Sequence, residues 1–468
     1  MITSHLPVLQ VVVPLLGAPL CLLVNNRRFA WLISLVTGWT AFAIAVLLLA
    51  EVLDGTIVSY EIGGWSAHWG IEYRVDVVNA FVLLIVSGIG GMVLLYARSS
   101  VVREIYTRRV PLFYAMYMLC LGGLLGVAIT GDVFNLFVFM EISSLASYAL
   151  IAFSEERRAL TSAYQYLIMG TIGATFILIG IGLLYMMTGT LNMQDIAARL
   201  PAVSANHTIE TAFAFLTVGI SIKLALVPLH LWLPNAYAYA PSVVTAFIAA
   251  TSTKVAFYVL LRFMFTIFGA SFSFQYMPLS IIFLVLALAA MFTGSLAAIF
   301  QDNLKRMLAY SSVAQIGYMI LGISLASASG LTAAILHLFN HALMKSALFL
   351  ALGCVYYRLG MVNLGQLPGL GRRMPWTMAA FTIGGLSLIG IPLTVGFISK
   401  WYLIVAALEK GWWPVAVAVV ATSLMAAVYV WRVIEAAYFQ MPTDDSAVEM
   451  HEAPLSMLLP TWMLIIAN

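Results

Sequence analysis

Apolar positions in this chain fall in long, nearly uninterrupted runs, separated by short polar clusters. A helix needs about 20 apolar residues to cross the hydrocarbon of a bilayer. Such runs lie near 6–24, 30–50, 77–97, 110–130, 133–153, 161–188 and 211–240, then near 243–268, 277–300, 306–326, 331–357, 376–408, 412–440 and 454–468. The pattern predicts an all-α polytopic membrane protein of about fourteen transmembrane helices, the last too short for a full span. Two runs are too long for one straight helix and carry prolines. The first contains Pro228 and Pro234, the second Pro392. Proline removes a backbone donor and clashes with the preceding turn, so these are the expected helix breaks.

Composition agrees with the pattern. Of 468 residues, 63% are hydrophobic and 9% charged, against about 25% charged in soluble domains. The positive-inside rule tests the count, because basic residues should gather in alternate loops. With the N-terminus outside, Arg27, Arg28, Arg98, Arg103, Arg108, Arg109, Arg157, Arg158, Lys305, Arg306, Arg358, Arg372, Arg373 and Arg432 fall on the cytoplasmic side. Only Arg74, Arg199 and Lys410 fall outside. The first outer loop is acidic, and its alternating "TIVSYEIGGW" predicts a short hairpin. The run Leu6–Val24 has arginines after it rather than before, which marks a retained helix rather than a secretory signal. Cys21, Cys120 and Cys354 stand alone, without metal or haem spacing. No phosphate loop, nucleophile triad or redox motif is present, so no cofactor and no nucleic-acid partner is expected.

Five basic residues lie within predicted spans: Lys223, Lys254, Arg262, Lys345 and Lys400. Arg262 is near its helix end and is expected to snorkel. The four lysines, if charged, together cost on the order of 10 kcal/mol on insertion scales. Of the acids, only Glu141 lies well inside a span. An acid alone in hydrocarbon would protonate, whereas one facing a lysine shares a proton with it. Lys223 is the chosen partner, with a static ion pair as the alternative. In "HLFNHALMKSALFL" the residues His337, His341 and Lys345 recur every four. On a helix that spacing lines one face, with a rise of about 6 Å per step. Such a ladder suits a proton relay; packing histidines or a metal held by the pair are the alternatives, and no third ligand is evident. His230 is seven residues from Lys223, near two helical turns, and is expected to share its face.

Non-helical backbone at membrane depth is tolerated only where protein or a water-filled cavity receives its polar groups. Transporters place broken helices at corresponding positions of two repeats. Pro228-Leu229 set over Pro392-Leu393 gives an offset of 164 residues, about five helices. An odd number of helices reverses the second copy, so the repeats should be inverted.

The segments "VFMEISSLASYAL", "KLALVPLHLWLPNAY", "STKVAFYVLLR", "HLFNHALMKSALF" and "GIPLTVGFISKWYL" occur in that order. The chain thereby resembles the antiporter-like subunits shared by respiratory complex I, membrane-bound hydrogenases and Mrp-type multisubunit sodium/proton antiporters, over roughly residues 70 to 440. The phrasing around Glu141 and the short C-terminus look most like the D-type subunit of an Mrp-type antiporter. The resemblance implies three N-terminal helices (1–109), an inverted repeat over 110–268, a second over 277–440 and the start of a fourteenth helix at 454–468. It implies proton-transfer roles for Glu141, Lys223, Lys254, His337, His341, Lys345 and Lys400. It further implies a plasma (inner) membrane location, partner subunits, lipid around them, and protons and monovalent cations as cargo. The expected path enters near Glu141 and Lys223, passes Lys254 and the ladder, and leaves near Lys400. A self-contained transporter, a pumping subunit of a redox complex and a non-transporting scaffold are the rival readings.

Overall fold

The computed structural model describes residues 3–24, 26–67, 69–360, 362–441 and 451–468. Helices α1 (Leu6–Val24), α2 (Arg27–Val52) and α3 (Val77–Glu104) come first, with strands β1 (Val58–Glu61) and β2 (Glu72–Val75) between the last two. There follow α4 (Val110–Ile129), α5 (Val133–Ala152), α6 (Arg157–Thr188), α7 (Met193–Val203), α8 (His207–Leu224), α9 (Trp232–Tyr239) and α10 (Ser242–Leu261). Two π-helical turns, Arg262–Ile267 and Phe272–Tyr276, lead to α11 (Leu279–Ile299), α12 (Leu304–Ser324) and α13 (Ala328–Leu359). The chain continues through α14 (Leu370–Arg373), α15 (Pro375–Ile389), α16 (Val395–Glu409), α17 (Trp413–Tyr438) and α18 (Leu455–Ile466).

Eleven helices among the described residues are long and apolar enough to cross a membrane. The other predicted crossings are the two broken runs, now α8 with α9 and α15 with α16, and the short α18. The predicted hairpin is present: β1 and β2 pair antiparallel, Val58 opposite Val75.

The breaks fall where proline cannot continue a helix, with one exception. Pro228 lies between α8 and α9, after Ala225 at φ 60°, and Pro392 lies between Gly390 at φ 89° and Leu393 at φ 78°. Pro234 breaks nothing. It is the third residue of α9, and a helix's first turn needs no donor from its residues, so proline is tolerated there. The expected shared face of Lys223 and His230 is corrected for a related reason. Lys223 is in the last turn of α8, while His230 sits in the turn beyond the break, and helical periodicity does not carry across it.

The chain forms two compact units. One comprises Met1–Leu94, Ile105–Leu224 and Thr251–Met277; the other comprises Leu95–Glu104, Ala225–Ala250 and Pro278–Asn468. Each contains the same clasp. In the first, Val133 N–H donates to Leu191 O and Met193 N–H to Gly131 O, at 2.9 and 2.8 Å. In the second, Leu304 N–H donates to Val362 O and Leu364 N–H to Asp302 O, both at 2.9 Å. Every one of these positions has its counterpart 171 residues later, as Gly131 has Asp302. The caps repeat too. Asp132 caps α5 through Asn135 N–H and Asn303 caps α12 through Arg306 N–H, while α6 and α13 end at Gly189 and Gly360 in the left-handed conformation. The proline offset of 164 is shorter because α7, in the first unit, has only the brief α14 segment opposite it.

Close packing uses small residues, as expected of helices in lipid. The glycine-rich α6 meets α8 at Gly173, where an added Cβ would lie 3.1 Å from Gly219 O. In the second unit Gly396 lets α16 approach α15, and a Cβ there would stand 1.9 Å from Ser387 O. Gly396→Ala is therefore expected to lower stability by about 2–3 kcal/mol, the upper range for overpacking. A reduced melting temperature of the detergent-solubilised protein would register it; an unchanged one would show that α16 is not held at this distance.

Candidate functional site: buried lysine columns

Burial is uneven in a way that places the polar groups. Helices α10, α12 and α13 are buried nearly all round, whereas α1, α2, α6, α11 and α17 keep an exposed apolar face. Of the titratable side chains, Lys254 lies on α10 and His337, His341 and Lys345 on α13, while Glu141, Lys223 and Lys400 lie on α5, α8 and α16.

In the first unit the structure brings Glu141 and Lys223 together. Lys223 Nζ donates to Glu141 Oε1 at 2.8 Å and to Ser144 Oγ at 2.9 Å. Glu141 and Ser144 lie one turn apart on α5, so a single face supplies both acceptors. Lys223 is 5% exposed at its side chain and Glu141 20%. The carboxylate is the more exposed end of the pair. A cavity of about 30 Å³ lies beside the ammonium, lined by Ser143, Ser144, Ser147, Tyr166 and Ser252 among others. Apolar side chains complete its wall, and its size exceeds the roughly 10–15 Å³ that one water needs. Lys254, on α10, is fully buried and donates to Thr253 Oγ1 at 3.4 Å.

In the second unit the ladder is continuous with the second break. His337, His341 and Lys345 share a face of α13, and the two rings stack at 6.1 Å between centroids. Lys345 Nζ donates to Leu308 O at 2.8 Å and also bonds Ser311 Oγ, both on α12. His337 Nδ1 meets Ser399 Oγ at 2.9 Å. The next residue, Lys400, donates to Leu388 O, Ile389 O and Ser423 Oγ at 3.0, 2.9 and 3.0 Å. Its ammonium also lies 4.8 Å from the Tyr318 ring centre, and that ring packs against His337 at 5.4 Å. Tyr318 and Ser399 thus join the ladder to Lys400. Among the described residues no group of three or more His, Cys, Asp or Glu side chains is placed to hold a metal.

The two break lysines differ in sequence yet resemble each other in place. Lys223 precedes its proline and Lys400 follows its own, but each ammonium is at the C-terminal end of the first half-helix: Lys223 by its position in α8, Lys400 by reaching back to the last carbonyls of α15. That end carries the negative pole of the helix dipole and unsatisfied carbonyls, which favour a cation. The second break is further satisfied by Asn340 Nδ2, which donates to Val395 O at 2.5 Å, and by Asn468 O, which accepts from Val395 N–H at 3.1 Å. His230 is half-buried in the first break, within the second unit.

Several site residues escaped the reading of the sequence. The hydroxyls of Ser144, Ser311, Ser399 and Ser423 carry no mark in composition, although Ser144 stands in the "EISSLAS" stretch beside Glu141. Lys305, counted as a cytoplasmic loop residue, is 3% exposed, donates to Ala240 O at 3.2 Å and lies 4.7 Å from the Tyr356 ring centre. Glu104 is buried at 8% exposure and accepts from Ser242 N–H at 2.7 Å, capping α10.

Residues 130–426 match the family described as NADH:quinone oxidoreductase/Mrp antiporter, TM. The chain is 41% identical to NADH-quinone oxidoreductase subunit N of Desulforudis audaxviator, covering 99% of this chain and 94% of that one. It is 29% identical to the D-type subunit of the Na(+)/H(+) antiporter of Alkalihalophilus pseudofirmus, covering 95% and 89%. Its fold matches a chain in the structure of the Mrp complex from Dietzia sp. DQ12-45-1b with TM-score 0.90 and 28% identity, covering 100% and 93%. A multi-pass architecture with buried lysines at both breaks, matched across nearly its whole length, identifies the chain as a member of the NADH:quinone oxidoreductase/Mrp antiporter transmembrane family.

Proposed function

We propose that this chain translocates protons as one subunit of a multisubunit membrane complex, and that the complex exchanges monovalent cations such as Na+ for protons. The observation that carries the reading is the Lys223–Glu141 pair beside a hydroxyl-lined cavity of water-holding size. A carboxylate and an ammonium are both ionisable groups, and the carboxylate is partly open to its surroundings. Moving Glu141 relative to Lys223 would switch the lysine between holding and releasing its proton. In the second unit the column from Lys345 through His341 and His337 to Lys400 supplies donors and acceptors at short intervals. In this reading protons enter beside Glu141 and Lys223, use Lys254 as an intermediate carrier and leave beside Lys400. The distribution of basic residues supports an N-terminus outside, and the reading places the chain in the plasma membrane.

A second reading has its own observation. The 41% identity to a subunit N of NADH-quinone oxidoreductase supports a redox-driven pump in which the same groups move protons. Purification in mild detergent separates the two. Copurifying hydrophobic subunits alone, with Na+-dependent proton movement in reconstituted vesicles, support exchange. Copurifying iron-sulfur or flavin proteins support the redox pump. Full transport by the purified chain alone would overturn both.

A further inference from the structure

A third set of charges, partly buried, lies at the hairpin end of the first unit. Arg262 does not snorkel. Its Nη2 donates to both oxygens of Asp76, at 2.7 and 2.6 Å, and its Nε donates to Tyr258 Oη at 2.8 Å. Tyr258 Oη in turn donates to Ala128 O at 2.9 Å. Arg262's side chain is 14% exposed and that of Asp76 is 26% exposed. The pair therefore stands between the interior and the surface.

Lys254, Tyr258 and Arg262 recur every four residues along α10 and its π-helical extension. That spacing sets a buried ammonium, a phenol and a guanidinium on one face, with a rise of about 6 Å per helical step. A cavity of about 20 Å³ adjoins the outer end, lined by Asp76, Asn79, Thr130, Tyr258, Arg262 and Arg74 among others. Charged and hydroxyl side chains form part of its wall, and it is large enough for one water. Two neighbouring acids are already engaged: Glu72 by Ser59 Oγ at 2.6 Å and Asn192 Nδ2 at 2.7 Å, and Asp132 by Asn135 N–H at 2.7 Å. A polar column thus runs from fully buried Lys254 toward Asp76 and the hairpin surface.

In a chain that moves protons, such a column would short-circuit the gradient unless it were blocked. A guanidinium is never deprotonated in proteins and cannot pass a proton on. Held by four hydrogen bonds, the fourth from Nη1 to Thr266 Oγ1 at 3.5 Å, it is also a fixed positive charge of the kind that excludes protons and cations from narrow pores. We propose that the Arg262–Asp76 pair is an electrostatic seal that closes the hairpin end of the first unit against proton backflow to and from Lys254. The inference rests on the proton-translocating reading above.

The test uses the whole complex containing this chain, reconstituted in vesicles with a trapped pH dye and no cation gradient or redox substrate. After an external acid pulse, Arg262→Met is expected to raise passive proton influx on the order of tenfold. Adding Lys254→Met should return the rate to the parent level, because it removes the other end of the column. Asp76→Asn keeps every buried positive charge but frees the guanidinium, and serves where Arg262→Met fails to assemble; the same rise is expected. Unchanged influx in an assembled Arg262→Met or Asp76→Asn complex overturns the seal. So does a raised rate that persists with Lys254→Met, since a general packing defect would leak without regard to Lys254. Glu141→Gln run alongside keeps the two ideas apart: a seal result without change beside a transport-dead Glu141→Gln sinks the seal alone.

Discussion

Replacing Lys223 by arginine is expected to leave the complex assembled and stop transport. Arginine keeps the charge and can keep the bond to Glu141, so a static ion pair would survive the change. It cannot release its proton at any physiological pH, so a proton carrier would not. The drop should be roughly 10²-fold or more, the low end of what a positioned proton-transfer group contributes. Glu141→Gln tests the same pair from the other side, preserving shape while removing the titration. Lys223→Ala is a poorer probe, because breaking a buried pair costs about 3–5 kcal/mol and confuses folding with function. Vesicles showing normal cation-dependent proton movement with both Lys223→Arg and Glu141→Gln would end the scheme.

The second large effect is expected at Lys400. Its ammonium satisfies the last two carbonyls of α15 and touches Ser423 and Tyr318, so it is both a structural cap and the last titratable group of the ladder. Lys400→Met should lose both roles and Lys400→Arg only the second. Transport is therefore expected to fall by a similar factor, roughly 10²-fold, in the two variants. Thermal stability should fall in the methionine variant alone, by about 1.5–3 kcal/mol, the worth of hydrogen bonds to a charged group. Transport retained by Lys400→Arg would remove Lys400 from the path and leave it as a cap.

The crossings were legible because hydrocarbon imposes a blunt requirement that composition meets openly. The breaks at Pro228 and Pro392 were legible for the same reason, and so were the lysines, which stand out by their cost. What remained hidden depended on distant parts of the chain. Lys305 lies among loop-like residues, and only Ala240, 65 residues earlier, makes its burial intelligible. Glu104 ends a helix that runs seven residues past the apolar stretch, through arginines that read as loop. Arg262 was expected to snorkel because it is near its helix end; its partner Asp76 lies 186 residues away. The misplacement of His230 has a different origin, since a face was extended through a run that is broken around Pro228.

The clasps bear on the order in which the protein is made. Val133, Leu191, Gly131 and Met193 close on one another without any residue from the second unit. A nascent chain can therefore fasten its first set of helices as soon as Met193 has left the insertion machinery, while α11 to α17 are still unwritten. The second clasp, from Asp302 to Leu364, has the same independence. Each half thus carries its own latch, and a synthesis error in the later half leaves the earlier latch shut.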